Sequence, residues 1–169
     1  MDLNQTTLRG ILARILSVDE KYVVPKQGNW WNPQENKGNI KNWCAYIIRN
    51  NKGRTVPFYH EENNNNYATQ LKIATIDLQF VGPQSEEIAN SVSFWPLRED
   101  VKLEFEKVRG AILPTDTEAR SSNFYQDGNN TVVAWNVSIK VQWYQLVNTE
   151  QGIMPDLDLN GTINDYRNR

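Results

Sequence analysis

The C-terminal segment DLDLNGTINDYR has the side-chain spacing of a calcium-binding loop. Asp156, Asp158 and Asn160 would supply oxygen ligands at alternate positions, and Gly161 follows where such loops turn. The twelfth position is Arg167, where the loop needs a bidentate acidic ligand. An Asn-Gly pair between apolar residues is also typical of a tight hairpin. We therefore expect a hairpin or an extended arm here, with calcium binding as the alternative.

Two other side chains could do chemistry, and neither has suitable partners. His60 is the only histidine and lies in a polar stretch, where a lone histidine is far more often solvated than a general base. Cys44 is the only cysteine and lies within the run WCAYII, where a thiol behaves as a small buried hydrophobe. The sequence has no GxxxxGK phosphate loop and no GxGxxG fingerprint after a strand. We expect a protein that is not an enzyme and needs no metal or cofactor.

Composition excludes several classes of partner. A length of 169 residues, 39% of them hydrophobic, is enough for one domain with its own core. A net charge of -2 gives no broad basic field for sequence-specific binding of nucleic acid. The N-terminal stretch MDLNQTTLRGILARIL resembles neither a signal peptide nor a membrane span. With a single cysteine, these features predict a protein of the reducing cytoplasm.

The tryptophans are unusually frequent. Six are present, and Trp30 and Trp31 lie in the polar segment GNWWNP, where local propensity does not require them. Such residues fold back onto the core as a lid, anchor a protein interface, or stack on sugars or bases. Trp135 and Trp143 instead share one face of a strand and are expected in the core or at an interface.

In the first half of the chain, one helix and three strands are predicted. The apolar stripe of Thr7–Leu16 favours a helix, and the runs Tyr22–Pro25 and Trp43–Ile48 favour strands. A turn leads from the second strand to Arg54–Tyr59, which predicts a hairpin with its return strand at a sheet edge. The following HEENNNNY is predicted as a polar loop.

The best strand in the sequence is Thr69–Val81, and a helix follows it directly. The strand alternates regularly, and its inward face is predicted to carry Ala74, Ile76, Leu78 and Phe80. Gly82 and Pro83 end the strand, and Ser85 is the expected N-cap of a helix that runs to about Phe94.

Beyond Pro96, apolar residues at spacings of three or four favour a helix from Leu97 to Ile112, with a strand as the alternative. Thr131–Val147 is the second central strand. Its apolar face is predicted to comprise Val133, Trp135, Val137, Ile139, Val141 and Trp143.

This order of elements predicts an α+β fold, a mainly antiparallel β-sheet flanked on one face by two or three helices. We expect residues 1–147 to form the domain and residues 148–169 to form a C-terminal extension. The irregular segments 27–41 and 148–169 are longer than a compact enzyme of this size usually carries. They are candidate contact arms.

Several of these segments resemble the neck or tail terminator proteins of contractile-tailed bacteriophages. The resemblance depends on YVVPKQGNWWNP, WCAYII, IDLQFVGPQSEEIANSV and VVAWNVSIKVQWYQ, and it spans roughly Tyr22 to Leu146. It implies an α+β subunit of a six-fold ring that caps the tail tube and joins the tail to the head connector. The implied partners are further copies of the chain, the tail tube and sheath proteins, and the connector or stopper protein. DNA can pass through such a ring, and the expected location is the virion neck, after assembly in the host bacterial cytoplasm.

The residues expected at subunit contacts come from the edge strand and the two arms. They are Trp30, Trp31, Pro33, Phe58, Tyr59, Met154, Leu157 and Leu159. Two alternatives remain open, a carbohydrate-binding module and another tail-tube or baseplate-like structural component.

Overall fold

The computed structural model describes residues 3–26, 42–50, 57–62, 65–126 and 130–148, with residues 50, 57–62, 65–69, 123–126, 130–131 and 146–148 described by backbone alone. The helices are α1 (Gln5–Leu16), α2 (Ser85–Ser91) and α3 (Glu99–Glu106), with 3-10 helices at Glu20–Tyr22 and Val92–Leu97. The strands are β1 (Val23–Pro25), β2 (Trp43–Asn50), β3 (Pro57–Glu62), β4 (Asn65–Val81), β5 (Gly110–Leu113), β6 (Arg120–Gln126) and β7 (Asn130–Asn148).

The long strands β4 and β7 form the centre of one sheet. They pair antiparallel from Tyr67 opposite Asn148 to Val81 opposite Ala134. On its other side β4 pairs with β2 and β3, and β7 pairs on its other side with β5 and β6. Strand β1 runs parallel to β2, while the other pairings within the described residues are antiparallel. The α+β class predicted from the sequence is confirmed.

The main core lies between one face of the sheet and the three helices. Alternation along β4 places Ala74, Ile76, Leu78 and Phe80 on this helix face, as predicted, and each is at most 1% exposed. Strand β7 contributes its odd-numbered residues from Trp135 onward, and α1 contributes Leu8, Ile11 and Leu12. Buried apolar area of this extent is the main favourable term in folding.

A smaller apolar cluster lies on the second face of the sheet. It comprises Trp43, Val81, Val132 and Ala134, with Tyr22 packed edge-on against Trp43 at a ring-centroid distance of 5.0 Å. Further along the same face the side chains become polar and partly exposed. The described helices α1, α2 and α3 therefore cover only one face.

Strands β3, β4 and β7 extend past the main core as a three-stranded ribbon. We define the β-ribbon as β3, residues 65–71 of β4 and residues 144–148 of β7. The core ends where Trp143 pairs with Lys72. Where ribbon side chains are described, at Gln70, Leu71, Tyr144 and Gln145, they are half-buried or exposed. The ribbon thus continues the backbone ladder beyond the last residues of the main core.

The turn between β4 and α2 has the predicted form but a different cap. Gly82 has φ of 132°, a conformation that a Cβ opposes. The prediction of Ser85 as N-cap is wrong, because Ser85 is the first residue of α2 and is buried. The backbone N–H of Gln84 instead donates to the side-chain carbonyl of Asn42, and the Asn42 amide donates back to Gln84. Gln84 is therefore the N-cap of α2, without a side-chain hydrogen bond to the helix, and its contacts come from a residue 42 positions away that local sequence does not indicate.

The predicted hairpin between the strand Trp43–Ile48 and the segment Arg54–Tyr59 is wrong, because both regions pair with β4. β3 pairs antiparallel with the N-terminal part of β4, whereas β2 pairs with its C-terminal half. The polar loop prediction for HEENNNNY is also wrong, because His60–Glu62 belong to β3 and Asn65–Tyr67 belong to β4. Ladder hydrogen bonds with a neighbouring strand outweigh the poor strand propensity of asparagine and glutamate.

The long helix predicted from Leu97 to Ile112 is wrong at both ends. Helix α3 covers only Glu99–Glu106, and Ile112 lies in β5. Arg109 takes a left-handed conformation with φ of 54°, which ends the helical path. The edge of β7 then pairs with Gly110–Leu113.

Three further differences concern element ends and one strand. Helix α2 ends at Ser91 and not at Phe94, and the chain continues as a 3-10 helix. Val133 was predicted on the inward face but is 50% exposed. Strand β6 was not predicted, because RSSNFYQ is mostly polar and pairs through its backbone with β7.

Candidate interaction surfaces

Most contact residues predicted from the sequence lie outside the described residues. These are Trp30, Trp31, Pro33, Met154, Leu157 and Leu159, together with the calcium-loop candidates Asp156, Asp158 and Asn160. Phe58 and Tyr59 lie in β3, where their backbones pair with Thr69 and Ala68. The edge-strand part of the prediction therefore has a defined place in the β-ribbon.

The two reactive residue types lie apart. His60 is in β3, opposite Tyr67 of β4. Cys44 is in β2 and 1% exposed, and burial in this apolar site raises the pKa of its thiol far above its ordinary value. Within the described ranges, no group of three or more His, Cys, Asp or Glu residues could hold a metal ion. None of the helices described is both long and apolar enough to cross a membrane.

The β-ribbon presents an aromatic side chain on its surface. Tyr144 is 44% exposed and pairs across the sheet with Leu71. Its backbone N–H donates to the carbonyl of Arg109 at 3.1 Å, which holds this residue at the junction of β7 and α3. A fixed, exposed tyrosine beside a leucine is typical of the anchors of protein interfaces. The sequence indicates this exposure, because Tyr144 has an even number and the buried residues of β7 that face the helices have odd numbers.

Three more large apolar side chains are exposed on the helical layer. Phe94 and Leu97 are 63% and 75% exposed, and Leu103 of α3 is 50% exposed. Residues three apart in a 3-10 helix lie on the same side, so Phe94 and Leu97 share one face. This exposed pair was not predicted, because the spacing of Leu97 from the following apolar residues favoured the apolar stripe of a helix.

An apolar groove lies between the 3-10 helix, α3 and β5. Its volume is about 210 Å³, and its apolar lining comprises Trp95, Pro96, Val101, Phe105, Gly110 and Ile112. Gly110 allows the close approach of β5 to β7, since a Cβ there would lie 2.9 Å from the carbonyl oxygen of Gln142. The exposed side chains of Lys102 and Glu106 also border the groove.

The second face of the sheet carries a hydrogen-bonded polar row. Asp77 forms an ion pair with Arg49 and accepts a hydrogen bond from the Ser138 hydroxyl at 2.7 Å. Ser122 accepts a hydrogen bond from the Asn136 amide at 2.7 Å. These groups pair with one another across four strands, β2, β4, β6 and β7. The Ser138 hydroxyl lies beside a carboxylate, and because Asp77 is also ion-paired with Arg49, the arrangement is that of a structural polar network.

A polar cleft opens at the outer edge of β7. Strand β6 pairs with β7 as far as Asn136, and β5 begins its pairing at Lys140. The connection between β5 and β6 passes beside this gap and encloses about 790 Å³. The cleft is lined by the charged residues Asp116, Glu118 and Arg120. The Arg120 guanidinium lies 3.5 Å from the Glu118 carboxylate, and both side chains are strongly exposed. Exposed charges of this kind contribute little binding energy on their own.

No protein-family model matches this chain, and no curated protein matches it at a significant level.

Proposed function

We propose that the protein is a structural component of a tailed-bacteriophage particle, a tail terminator whose copies form a ring that caps the tail tube and joins it to the head connector. The β-ribbon is the observation that carries this proposal. The ribbon extends past the part of the sheet that the helices cover, and a few strands that project in this way are marginally stable in water by themselves. Its exposed Tyr144 and its edge strand β3 are therefore expected to pack against another protein.

Other features support the same role. Cys44 lies buried with a raised pKa, and the Asp77 carboxylate that accepts from the Ser138 hydroxyl is already ion-paired with Arg49. A ring subunit needs a rigid frame and different contact surfaces on its two sides, because ring interfaces join unlike patches. The β-ribbon and the exposed pair Phe94 and Leu97 are two such unlike patches.

Carbohydrate binding receives no comparable support. It needs several aromatic rings exposed around a groove. Trp43, Trp95 and Trp143 are each at least 93% buried, and Trp135 is packed against the core. The surviving candidates for sugar stacking are Trp30 and Trp31, which lie outside the described residues.

Oligomeric mass in solution tests the proposal first. A ring of six copies of the 19.6-kDa chain has a mass of about 118 kDa, which light scattering separates from the monomer. Gold-labelled antibody against the chain is then expected to mark the junction of head and tail in particles of the encoding phage. A chain that stays monomeric at high concentration, or label at the far end of the tail, would overturn the proposal.

A pair of matched variants tests the β-ribbon itself. Tyr144→Ala removes an exposed aromatic side chain from the ribbon, whereas Val133→Ala changes a side chain of similar exposure near the other end of β7. We expect the first to weaken association by on the order of thirtyfold and the second to leave it nearly unchanged. Equal effects, or an effect of Val133→Ala alone, would move the contact away from the ribbon.

A further inference from the structure

The groove between the 3-10 helix, α3 and β5 is too small for an ordinary small-molecule site. Its volume of about 210 Å³ is below the range of roughly 300–1,000 Å³ that is usual for ligand pockets. It is apolar along its floor, where Trp95, Val101 and Phe105 are each 1% exposed or less. A space of this size and polarity is suited to one or two aliphatic side chains of a peptide segment.

An open strand edge lies beside the groove. Within the described ranges β5 has no strand paired to its outer side, so its backbone can accept an extended segment.

We infer that this groove binds the C-terminal segment, residues 149–169, of a neighbouring copy of the chain. This inference depends on the proposed ring. The segment carries spaced apolar side chains in an otherwise polar stretch, namely Ile153, Met154, Leu157, Leu159 and Ile163. Leu157 is flanked by Asp156 and Asp158, and a leucine beside acids is a suitable anchor for an apolar groove that has Lys102 at its border.

The end of β7 and the length of the C-terminal segment allow it to reach a groove on an adjacent copy, and the choice of that copy over the chain's own groove follows from the proposed ring. β7 passes the groove at Trp143, which pairs with Gly110, and ends at Asn148. The strand therefore carries the chain about 17 Å past its own groove, along the β-ribbon and away from the core. Residues 149–169 can extend up to roughly 70 Å from that point, which is enough to cross to an adjacent subunit.

The charged side chains that line the groove, Lys102 and Glu106, balance each other, and Arg109 precedes the lining residue Gly110 in the chain. Lys102 and Arg109 carry positive charge and Glu106 carries negative charge, and none of the three forms an ion pair among the described residues. Because Asp156 and Asp158 are both acidic, Lys102 and Arg109 are their natural partners. Apolar burial of Leu157 is expected to supply most of the affinity, with these charges fixing its position.

Cysteine cross-linking in the full-length chain tests the contact. One sample carries Glu106→Cys at the groove and another carries Asn160→Cys in the C-terminal segment, and the two are mixed and treated with a short bismaleimide. The native Cys44 is buried and does not compete. We expect a cross-linked dimer that contains one copy of each variant. Lys21→Cys replaces Glu106→Cys as the control, because Lys21 is 62% exposed beside β1, at the opposite edge of the sheet from β5.

Assembly measurements on two further variants complete the test. Leu157→Asp is expected to raise the dissociation constant for ring assembly by on the order of tenfold to a hundredfold, whereas Asn160→Asp, with the same added charge, leaves it nearly unchanged. Absence of the mixed cross-link, or equal cross-linking when Lys21→Cys replaces Glu106→Cys, would overturn the inference. If the wild-type chain still forms a ring when the cross-link is absent, the proposed function stands and only the inference about the groove fails. If the wild-type chain is monomeric, both the proposed function and the inference fail.

Discussion

Replacing Phe80 by alanine tests the central packing of the sheet against the helices. Phe80 lies in β4, opposite Cys44 of β2 and Trp135 of β7, and its side chain is 1% exposed. The substitution removes a whole aromatic ring from the middle of the main core and leaves a cavity that rigid neighbouring strands cannot close. We expect a loss of about 3–5 kcal/mol in the free energy of unfolding.

That loss is large against the total stability of a domain, which is about 5–15 kcal/mol. For a chain of this size each kcal/mol shifts the melting temperature by about 2–4 °C, so Phe80→Ala is expected to melt roughly 6–20 °C below the wild type. Phe80→Leu keeps an apolar side chain in the site and is expected to lose only about 1–2 kcal/mol.

Leu103→Ala is the control, because it truncates an apolar side chain that is 50% exposed and lies outside the proposed contact patches. Its free energy of unfolding is expected to stay within about 0.5 kcal/mol of the wild type. Circular dichroism is followed during heating and in urea at one fixed protein concentration, because association makes the melting temperature depend on concentration. If Phe80→Ala melted with the wild type while its oligomeric mass fell, Phe80 would face a neighbouring subunit and the inward face assigned to β4 would be wrong.

Three further predictions follow from single contacts. Gly110→Ala should lower the free energy of unfolding by about 1–3 kcal/mol in a urea titration, because its Cβ would meet a backbone carbonyl at 2.9 Å; an unchanged value would show that β5 can move away from β7. The Cys44 thiol should resist a thiol reagent at pH 8 until urea unfolds the chain, since burial raises its pKa; fast native labelling would contradict that burial. Burial acts to raise the pKa of Glu104, but hydrogen bonds from Lys107 and Arg14 outweigh burial and lower that pKa below its ordinary value. The ionised Glu104 therefore stabilises the folded state above about pH 4.3, and this contribution is lost on acidification. The difference in stability between wild type and Glu104→Gln should accordingly be largest near neutral pH and shrink in acid, and a difference independent of pH would refute the assignment.

The main strands and the first helix could be predicted because their patterns are long and regular. Alternation of apolar residues along β4 identified the inward face with Ala74, Ile76, Leu78 and Phe80, and all four are buried. Helix α1 likewise begins two residues before the predicted start, with Asn4 as its cap. Periodicity of this kind is a local property, so it survives without knowledge of the rest of the fold.

Short elements were predicted poorly because their partners decide them. The run from Leu97 to Ile112 fits helical spacing, yet its last part pairs with β7 as β5. The asparagine-rich stretch beside His60 has little strand propensity, yet its backbone completes the ladder between β3 and β4. A backbone group left unpaired in a sheet is costly, and this cost exceeds the small differences among intrinsic propensities.

For the candidate contact surfaces, too, some features follow from the sequence and others only from the tertiary structure. The sequence by itself determined the α+β class, the presence of a single histidine and a single cysteine, and the apolar residues of the C-terminal segment, since each depends on composition or local pattern. Only the tertiary structure decided that Tyr144 lies on a ribbon beyond the core, and that Trp95, Phe105 and Ile112 border one groove. Exposure and grooves arise where separate elements stop covering one another, and that depends on the lengths and crossings of all of them together.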